Sequence, residues 1–143
     1  MQKIDPLPGA KDFLDELRSF TQVILLSDTF TEFAMPLMEK LDHPTLFCNS
    51  LEIAENGEIT DFKMRVENSK LTTVKALQSI GFETIASGDS YNDLGMIQAS
   101  KAGFCSARLT KSKPTIRRFR RMRRMRSCLV RSKRQWRRSK QKR

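Results

Sequence analysis

The 143-residue chain is long enough for one domain with a real core, but its formal charge of +11 is placed unevenly. Residues 1–104 carry nine Lys/Arg against sixteen Asp/Glu, and residues 105–143 carry eighteen Lys/Arg with no acid, so any inference about nucleic acid applies to the C-terminal stretch alone. Cys48, Cys105 and Cys128 are odd in number and lack CxxC spacing, which points away from a disulfide framework or a zinc site and towards a reducing cytoplasm. No charged-then-apolar leader opens the chain and no apolar run approaches the roughly 18 residues of a membrane span. A soluble, unexported protein with no membrane partner is expected.

Met1 to Ala10 contains Pro6, Pro8 and Gly9 and reads as a loop feeding a helix over Lys11 to Phe20, where Phe13, Leu14 and Leu17 recur at helical spacing. Gln22 to Leu26 reads as a buried strand ending in the polar cluster Ser27-Asp28-Thr29. The helix Thr31 to Leu41 follows, so hydroxyls and backbone N–H groups collect at a helix N-terminus, where an anion is favoured. Pro36 inside that helix is expected to kink it or mark a restart. After the turn Asp42-His43-Pro44, Thr45 to Cys48 is another strand, and His43 reads as a surface residue. Leu51 to Ile53 and Ile59 to Met64 flank Asn56-Gly57, the signature of a β-hairpin with a type I′ turn.

Ser69 to Ile80 is expected as a helix with Leu71, Val74, Leu77 and Ile80 inward, closed by Gly81 at its C′ position. Lys70 stands in its first turn, where the macrodipole disfavours a cation. It is either a solvated lysine or one that wants a partner. Thr84 to Ser87 is a buried strand, Gly88 to Asp93 a polar turn, and Leu94, Met96, Ile97 and Ala99 mark a further helix before a short strand at Ala102-Gly103-Phe104. Asp89 and Asp93, with the Asn92 amide between them, offer hard oxygen ligands suited to a Mg²⁺ shared with a substrate phosphate; the alternative is a plain turn with an N-capping aspartate. The alternation of strands and helices argues an α/β fold with a largely parallel sheet. Ligands of such folds bind outside the carboxyl ends of the strands, where both polar clusters fall.

These residues together resemble the haloacid dehalogenase superfamily of phosphatases, within it the phosphoserine phosphatase branch, and most of all the phosphoserine phosphatase/homoserine phosphotransferase type. The run Val23 to Phe30 with Glu32-Phe33 is similar to that subgroup's second motif and Gly88 to Asp93 to its fourth. Lys70 lies where the family keeps its third-motif lysine, and Pro8-Gly9-Ala10 is similar to the segment leading from the helical cap back into the core. The resemblance covers residues 1–104 and implies a Rossmann-like haloacid dehalogenase core with a small β-hairpin insertion. It implies phosphoserine as substrate and Mg²⁺ as cofactor. By the same resemblance Ser27, with Asp28 and Thr29 beside it, binds the phosphate, and Lys70 neutralises the phosphoryl oxygens. Asp89 binds the metal, Asp93 holds a metal-bound water or Lys70, and Asn92 touches the phosphate side.

The chain also departs from that pattern. The family's aspartate nucleophile, followed two residues on by a second acid, has no counterpart: Asp28 follows a strand, but Phe30 stands two further on. The core is therefore expected to be incomplete, lacking the nucleophile strand and the helical cap, with two strand edges left open, and to be inactive alone. Met1 reads as an internal methionine of a longer, N-terminally truncated parent. From about Cys105 the sequence becomes Arg/Lys-rich, reading Arg-Arg-Phe-Arg-Arg-Met-Arg-Arg-Met-Arg over 117–126. Two readings stand: a disordered tail over residues 105–143 that docks RNA or another polyanion, with Phe119 and Trp136 available to stack, or text translated in a shifted frame.

Overall fold

The computed structural model describes residues 4–105, without the side chain of Cys105. From residue 106 onward the expected basic tail, with its arginine run, Phe119, Trp136 and Cys128, lies outside the described residues. The chain forms two compact units that divide between Ser69 and Lys70. Among the described residues no helix is long and apolar enough to cross a membrane.

The first unit contains α1 (Ala10–Arg18), β1 (Ile24–Phe30), α2 (Thr31–Lys40), β2 (Thr45–Ile53) and β3 (Ile59–Lys63). Gly9 enters α1 at φ 79°, a left-handed conformation that costs glycine little. Leu14 of α1 meets Met38 and Leu41, and Ala10, Phe13, Val23, Leu25, Leu37 and Leu46 pack around them. Each aliphatic side chain fully buried there contributes about 1.5–3 kcal/mol. Arg18 closes the far end of α2 by donating from Nη2 to the carbonyls of Leu41 at 3.2 Å and Asp42 at 3.0 Å, which satisfies acceptors that a helix end leaves open. Pro36 neither breaks nor restarts α2, which runs through it as one helix.

The expected buried strand is longer and wetter than its sequence suggests. β1 extends through Ser27, Asp28 and Thr29 to Phe30, and its apolar residues are only half-buried. The physical reason is its pairing: β1 has β2 on one side and, among the described residues, no strand on the other, whereas parallel strands are normally covered. β2 also outruns the strand expected to end at Cys48. Its first half pairs parallel with β1, from Ile24 opposite Thr45 to Phe30 opposite Asn49, and its second half pairs antiparallel with β3. Asn49, just past that expected end, is 2% exposed and hydrogen-bonded on both ends of its amide.

The hairpin is present, but its turn is not type I′. Of its central residues only Gly57, at φ 87°, is left-handed. The Gly57 N–H donates to the Ala54 carbonyl at 2.8 Å and the Ala54 N–H to the Glu58 carbonyl at 2.9 Å, the three-residue loop of a type I turn followed by a glycine bulge.

The second unit holds α3 (Ser69–Ser79) from Lys70 onward, β4 (Ile85–Gly88), a single 3-10 turn (Tyr91–Asp93), α4 (Leu94–Ala99) and β5 (Ala102–Cys105). α3 ends in a Schellman closure, with Gly81 at φ 91° donating to Gln78 and Phe82 donating to Leu77, both at 3.0 Å. Ile80, expected inward, is 70% exposed because the helix has already unwound at Ser79, and Thr73 takes a buried place beside Val74. β4 and β5 pair parallel, Ile85 opposite Ala102 through Gly88 opposite Cys105. Of β4 only Ala86 is buried; like β1, it has a strand on one side alone among the described residues. The described strands thus make two sheets in place of one.

The turn geometry predicts an asymmetry. Gly57→Ala should cost about 1 kcal/mol, because an L-residue is forced left-handed, while Asn56→Ala should cost only a few tenths; equal losses in urea denaturation would restore the type I′ assignment.

Candidate active-site elements

In the second unit the sequence Gly88-Asp89-Ser90-Tyr91-Asn92-Asp93 folds back on itself at the carboxyl end of β4. Asp93 is 5% exposed. Its Oδ2 accepts the backbone N–H of Asp89 and of Ser90, each at 2.9 Å, and the Ser90 hydroxyl at 2.8 Å. Ser90 and Asp93 form a reciprocal capping box around the 3-10 turn, the arrangement that satisfies orphan donors at a helix start. Asn92 is exposed, with its carboxamide oxygen within reach of the Ser90 hydroxyl.

The other oxygen of Asp93 takes the Lys70 ammonium. Nζ lies 2.7 Å from Oδ1, and the two side chains are 11% and 8% exposed. Of the two sequence readings of Lys70, the partnered one holds. Burial pushes the Asp93 carboxyl up, but the Lys70 hydrogen bond, the Ser90 N–H and hydroxyl, and the Lys70 charge together bring it below its ordinary value of 3.8.

Gly88 is what lets this carboxylate in. A Cβ on Gly88 would stand 2.4 Å from Asp93 Oδ2 and 2.5 Å from its Cβ and Cγ. The obstructing atoms belong to a buried, fully engaged side chain, so they have nowhere to yield. The sequence placed Gly88 in the motif without giving it this task, and it missed Ser90 as a fixing group. The Ser-x-x-Asp spacing at 90–93 is the signal that could have found it.

The first unit carries its own polar cluster. Ser27 is half-buried, and its Oγ accepts the Thr29 N–H at 3.2 Å, leaving its proton free to turn towards an acceptor. Asp28 is exposed, with the Ser69 hydroxyl donating to Oδ1 at 3.4 Å. Asn49 Nδ2 donates to the Asp28 carbonyl at 3.1 Å, and Asn49 Oδ1 accepts the Arg65 N–H at 3.1 Å. The cluster sits inside the irregular end of β1, where the register shifts between Leu26 and Phe30, and not beyond the strand as the sequence suggests. Asn49 gave no sequence signal, because a mid-strand asparagine looks like a loop residue until its burial is seen.

Of the two carboxylates expected at a metal, Asp93 is turned onto Lys70 and the turn, whereas Asp89 is exposed and has no side-chain partner among the described residues. Among the described residues no three or more His, Cys, Asp or Glu are grouped to hold a metal ion. One unengaged carboxylate does not make an all-protein cage. It does fit the way Mg²⁺ is usually held, by one or two carboxylates with waters and substrate phosphate completing the octahedron.

Parallel strand pairs with helices between them, and an acid-and-lysine turn at a strand's carboxyl end, define an α/β protein of the Rossmann-like class. The chain belongs to the haloacid dehalogenase-like hydrolases, whose family model matches residues 1–101. It is 44% identical over 100 residues to "Phosphoserine phosphatase ThrH" of Pseudomonas aeruginosa, covering 70% of this chain and 49% of that protein. It is 43% identical over 100 residues to a phosphoserine phosphatase of Pseudomonas syringae pv. tomato, covering 70% and 42%. A crystal structure of phosphoserine phosphatase in apo form superposes with a TM-score of 0.58 at 26% identity, covering 68% of this chain and 52% of that one. The chain thus spans about half the length, or less, of the curated relatives it matches.

Two outcomes follow from the Asp93 geometry. Lys70→Met should destabilise the protein by roughly 3 kcal/mol, because it leaves a buried carboxylate without its cation. Gly88→Ala should cost about 1–3 kcal/mol by overpacking against that carboxylate. A thermal or urea melt that leaves either variant at parental stability contradicts the packing described. The second outcome concerns pH. Since the folded Asp93 titrates below 3.8, its contribution to stability is complete above that value and is lost as pH falls through the depressed one. In metal-free protein Asp93→Asn should therefore show a shallower loss of stability on acidification than the parent; parallel curves would contradict this.

Proposed function

We propose that this chain carries the phosphate- and Mg²⁺-handling elements of a phosphomonoester hydrolase of phosphoserine phosphatase type, and that alone it does not turn over substrate. The observation that carries the reading is the buried Lys70 ammonium held by Asp93 at 2.7 Å. Asp93 fixes where the charge stands, so Lys70 meets a phosphoryl oxygen with little further loss of rotamer freedom. A fixed cation aimed at developing negative charge is the larger part of phosphoryl-transfer catalysis.

The other residues have distinct tasks. The Ser27 hydroxyl donates to a phosphate oxygen, with Asp28 and Thr29 shaping the strand end that presents it. Asn92 contributes its amide on the phosphate side of its own turn. Asp89 is the carboxylate that would hold Mg²⁺, with Asp93 acting behind it on Lys70. Bound there, the ion supplies charge neutralisation on phosphoryl oxygens. The substrate class rests on the names of the relatives and on the sequence resemblance; homoserine as acceptor in place of water rests on the resemblance alone. A cytoplasmic setting rests on cysteine usage.

Inactivity rests on what the sequence contains. No aspartate in the chain has a second acid two residues on, so the route through a covalent aspartyl phosphate, which divides one hard step into two easier ones, lacks its nucleophile. The alternative, a polyanion-binding protein acting through residues 105–143, draws on composition alone.

Calorimetric titration of the full chain with phosphoserine in the presence of Mg²⁺ tests the reading. Binding is expected, weakened at least about tenfold in both Lys70→Met and Asp89→Asn, with no phosphate released. Asp89 is exposed, so its variant keeps the test independent of folding. Undiminished binding in Asp89→Asn contradicts the metal assignment, and phosphate release that disappears in Asp89→Asn contradicts the inactivity.

A further inference from the structure

Asn56-Gly57 closes the β2–β3 hairpin, and its chemistry goes beyond the turn. The nitrogen of a glycine that follows asparagine is an unhindered nucleophile beside a side-chain amide, because no Cβ screens it. The chain has four asparagines, of which only Asn56 precedes glycine; Asn49 and Asn68 precede serine and Asn92 precedes aspartate. Residues 55–58 are all exposed, and a Cβ built on Gly57 meets nothing within 4 Å, so the approach to the tip is open.

The tip also prepares the amide. The Glu58 N–H donates to Asn56 Oδ1 at 3.1 Å, which polarises the carbonyl carbon and stabilises negative charge on that oxygen as the carbon is attacked. Asn56 Nδ2 donates to Glu58 Oε2 at 3.0 Å, so the nitrogen that leaves stands beside a carboxylate able to relay a proton to it. One restraint opposes reaction: the Gly57 N–H is bonded to the Ala54 carbonyl at 2.8 Å, and this bond must open with the exposed tip. The other asparagines lack the combination. Asn49 is buried with both ends of its amide engaged, the serine after Asn68 is buried, and the nitrogen after Asn92 is bonded to the Ser90 carbonyl within the 3-10 turn.

We propose that Asn56 is a self-modifying site, at which the hairpin tip deamidates and unpairs β3. The Gly57 nitrogen attacks Asn56 Cγ: the N–Cγ bond forms, the Cγ–Nδ2 bond breaks, and Nδ2 leaves as ammonia with the proton from Gly57. One water then opens the cyclic imide at either of its carbonyls and leaves aspartate or isoaspartate. Aspartate still accepts from the Glu58 N–H, but it loses the bond to Glu58 Oε2 and sets carboxylate against carboxylate. Isoaspartate runs the backbone through the side-chain carbon, adding one atom to the three-residue loop and offsetting Ile59 from its partner Ile53. The hairpin is thereby lost at a rate that its own tip sets.

The full chain, incubated at mildly alkaline pH and sampled by tandem mass spectrometry, tests the proposal. The mass gain of exchanging an amide NH₂ for OH is expected at Asn56, ahead of Asn49, Asn68 and Asn92. Gly57→Ala should slow it at least about tenfold, since the methyl group hinders the attacking approach. That variant also strains the turn, so Asn56→Gln is measured beside it: the ring it must close is larger, and residue 56 should hold its mass over the same period. In the aged parent the β3 amides should exchange faster with deuterium than in fresh protein, whereas aged Asn56→Gln keeps its starting protection. An Asn56 that does not convert overturns the proposal. So does conversion at the parental rate in Gly57→Ala, or converted chain whose β3 amides stay protected.

Discussion

The buried contact between Lys70 and Asp93 is the constraint on which the turn at the end of β4 depends. A carboxylate 5% exposed is tolerable only when its charge and its lone pairs are met. Here the ammonium meets one oxygen and three donors from the turn meet the other. That requirement reaches back into the sequence. It explains a glycine at 88, where any Cβ would collide with the carboxylate, a serine at 90, whose hydroxyl and N–H both serve it, and a lysine placed against the macrodipole in the first turn of α3. None of these choices is favourable by itself. Together they hold a positive charge at one place near a strand end, the feature on which the proposed phosphate role rests.

The first unit solves a different problem, that of a sheet with a thin supply of cover. β1 is a short apolar strand paired on one side, and the unit supports it by packing α1 and the end of α2 against Leu25 and Leu46. Its irregular end is tied down by Asn49, whose amide bonds the Asp28 carbonyl and the Arg65 N–H at once. An interior asparagine with both ends satisfied is a stiff link. It fixes the backbone that presents Ser27 and Asp28 without using their side chains.

Most of the helices and strands were legible in the sequence because their signals are local. The 3.6-residue recurrence in Phe13, Leu14 and Leu17 and the glycine at 81 after an amphipathic run needed no tertiary knowledge. The misreadings are those where pairing overrides pattern. The strand expected to end at Cys48 continues through Asn49-Ser50 because β1 and β3 claim its two halves. Ile80 fits the helical period, but the Schellman closure turns it outward. Asn56-Gly57 has the composition of a type I′ turn, and a bulge with glycine alone left-handed serves the strand twist instead. The site was legible as residue types at a spacing: Asp89, Asn92, Asp93 and Lys70 were all singled out. What spacing does not convey is the division of labour, in which Asp93 turns inward onto the lysine while the Asp89 side chain has no partner among the described residues.

The central claim is that the turn 88–93 and Lys70 form a phosphate-handling element. Backbone amide spectra of the ¹⁵N-labelled chain, recorded as Mg²⁺ and phosphoserine are added, test it most directly. The account predicts saturable shifts at Asp89, Ser90, Asn92, Asp93 and Lys70 that move together along one binding curve. Amides of this turn that stay in place while shifts gather in residues 106–143 would contradict it, and would make the basic segment the part of the chain that meets phosphate.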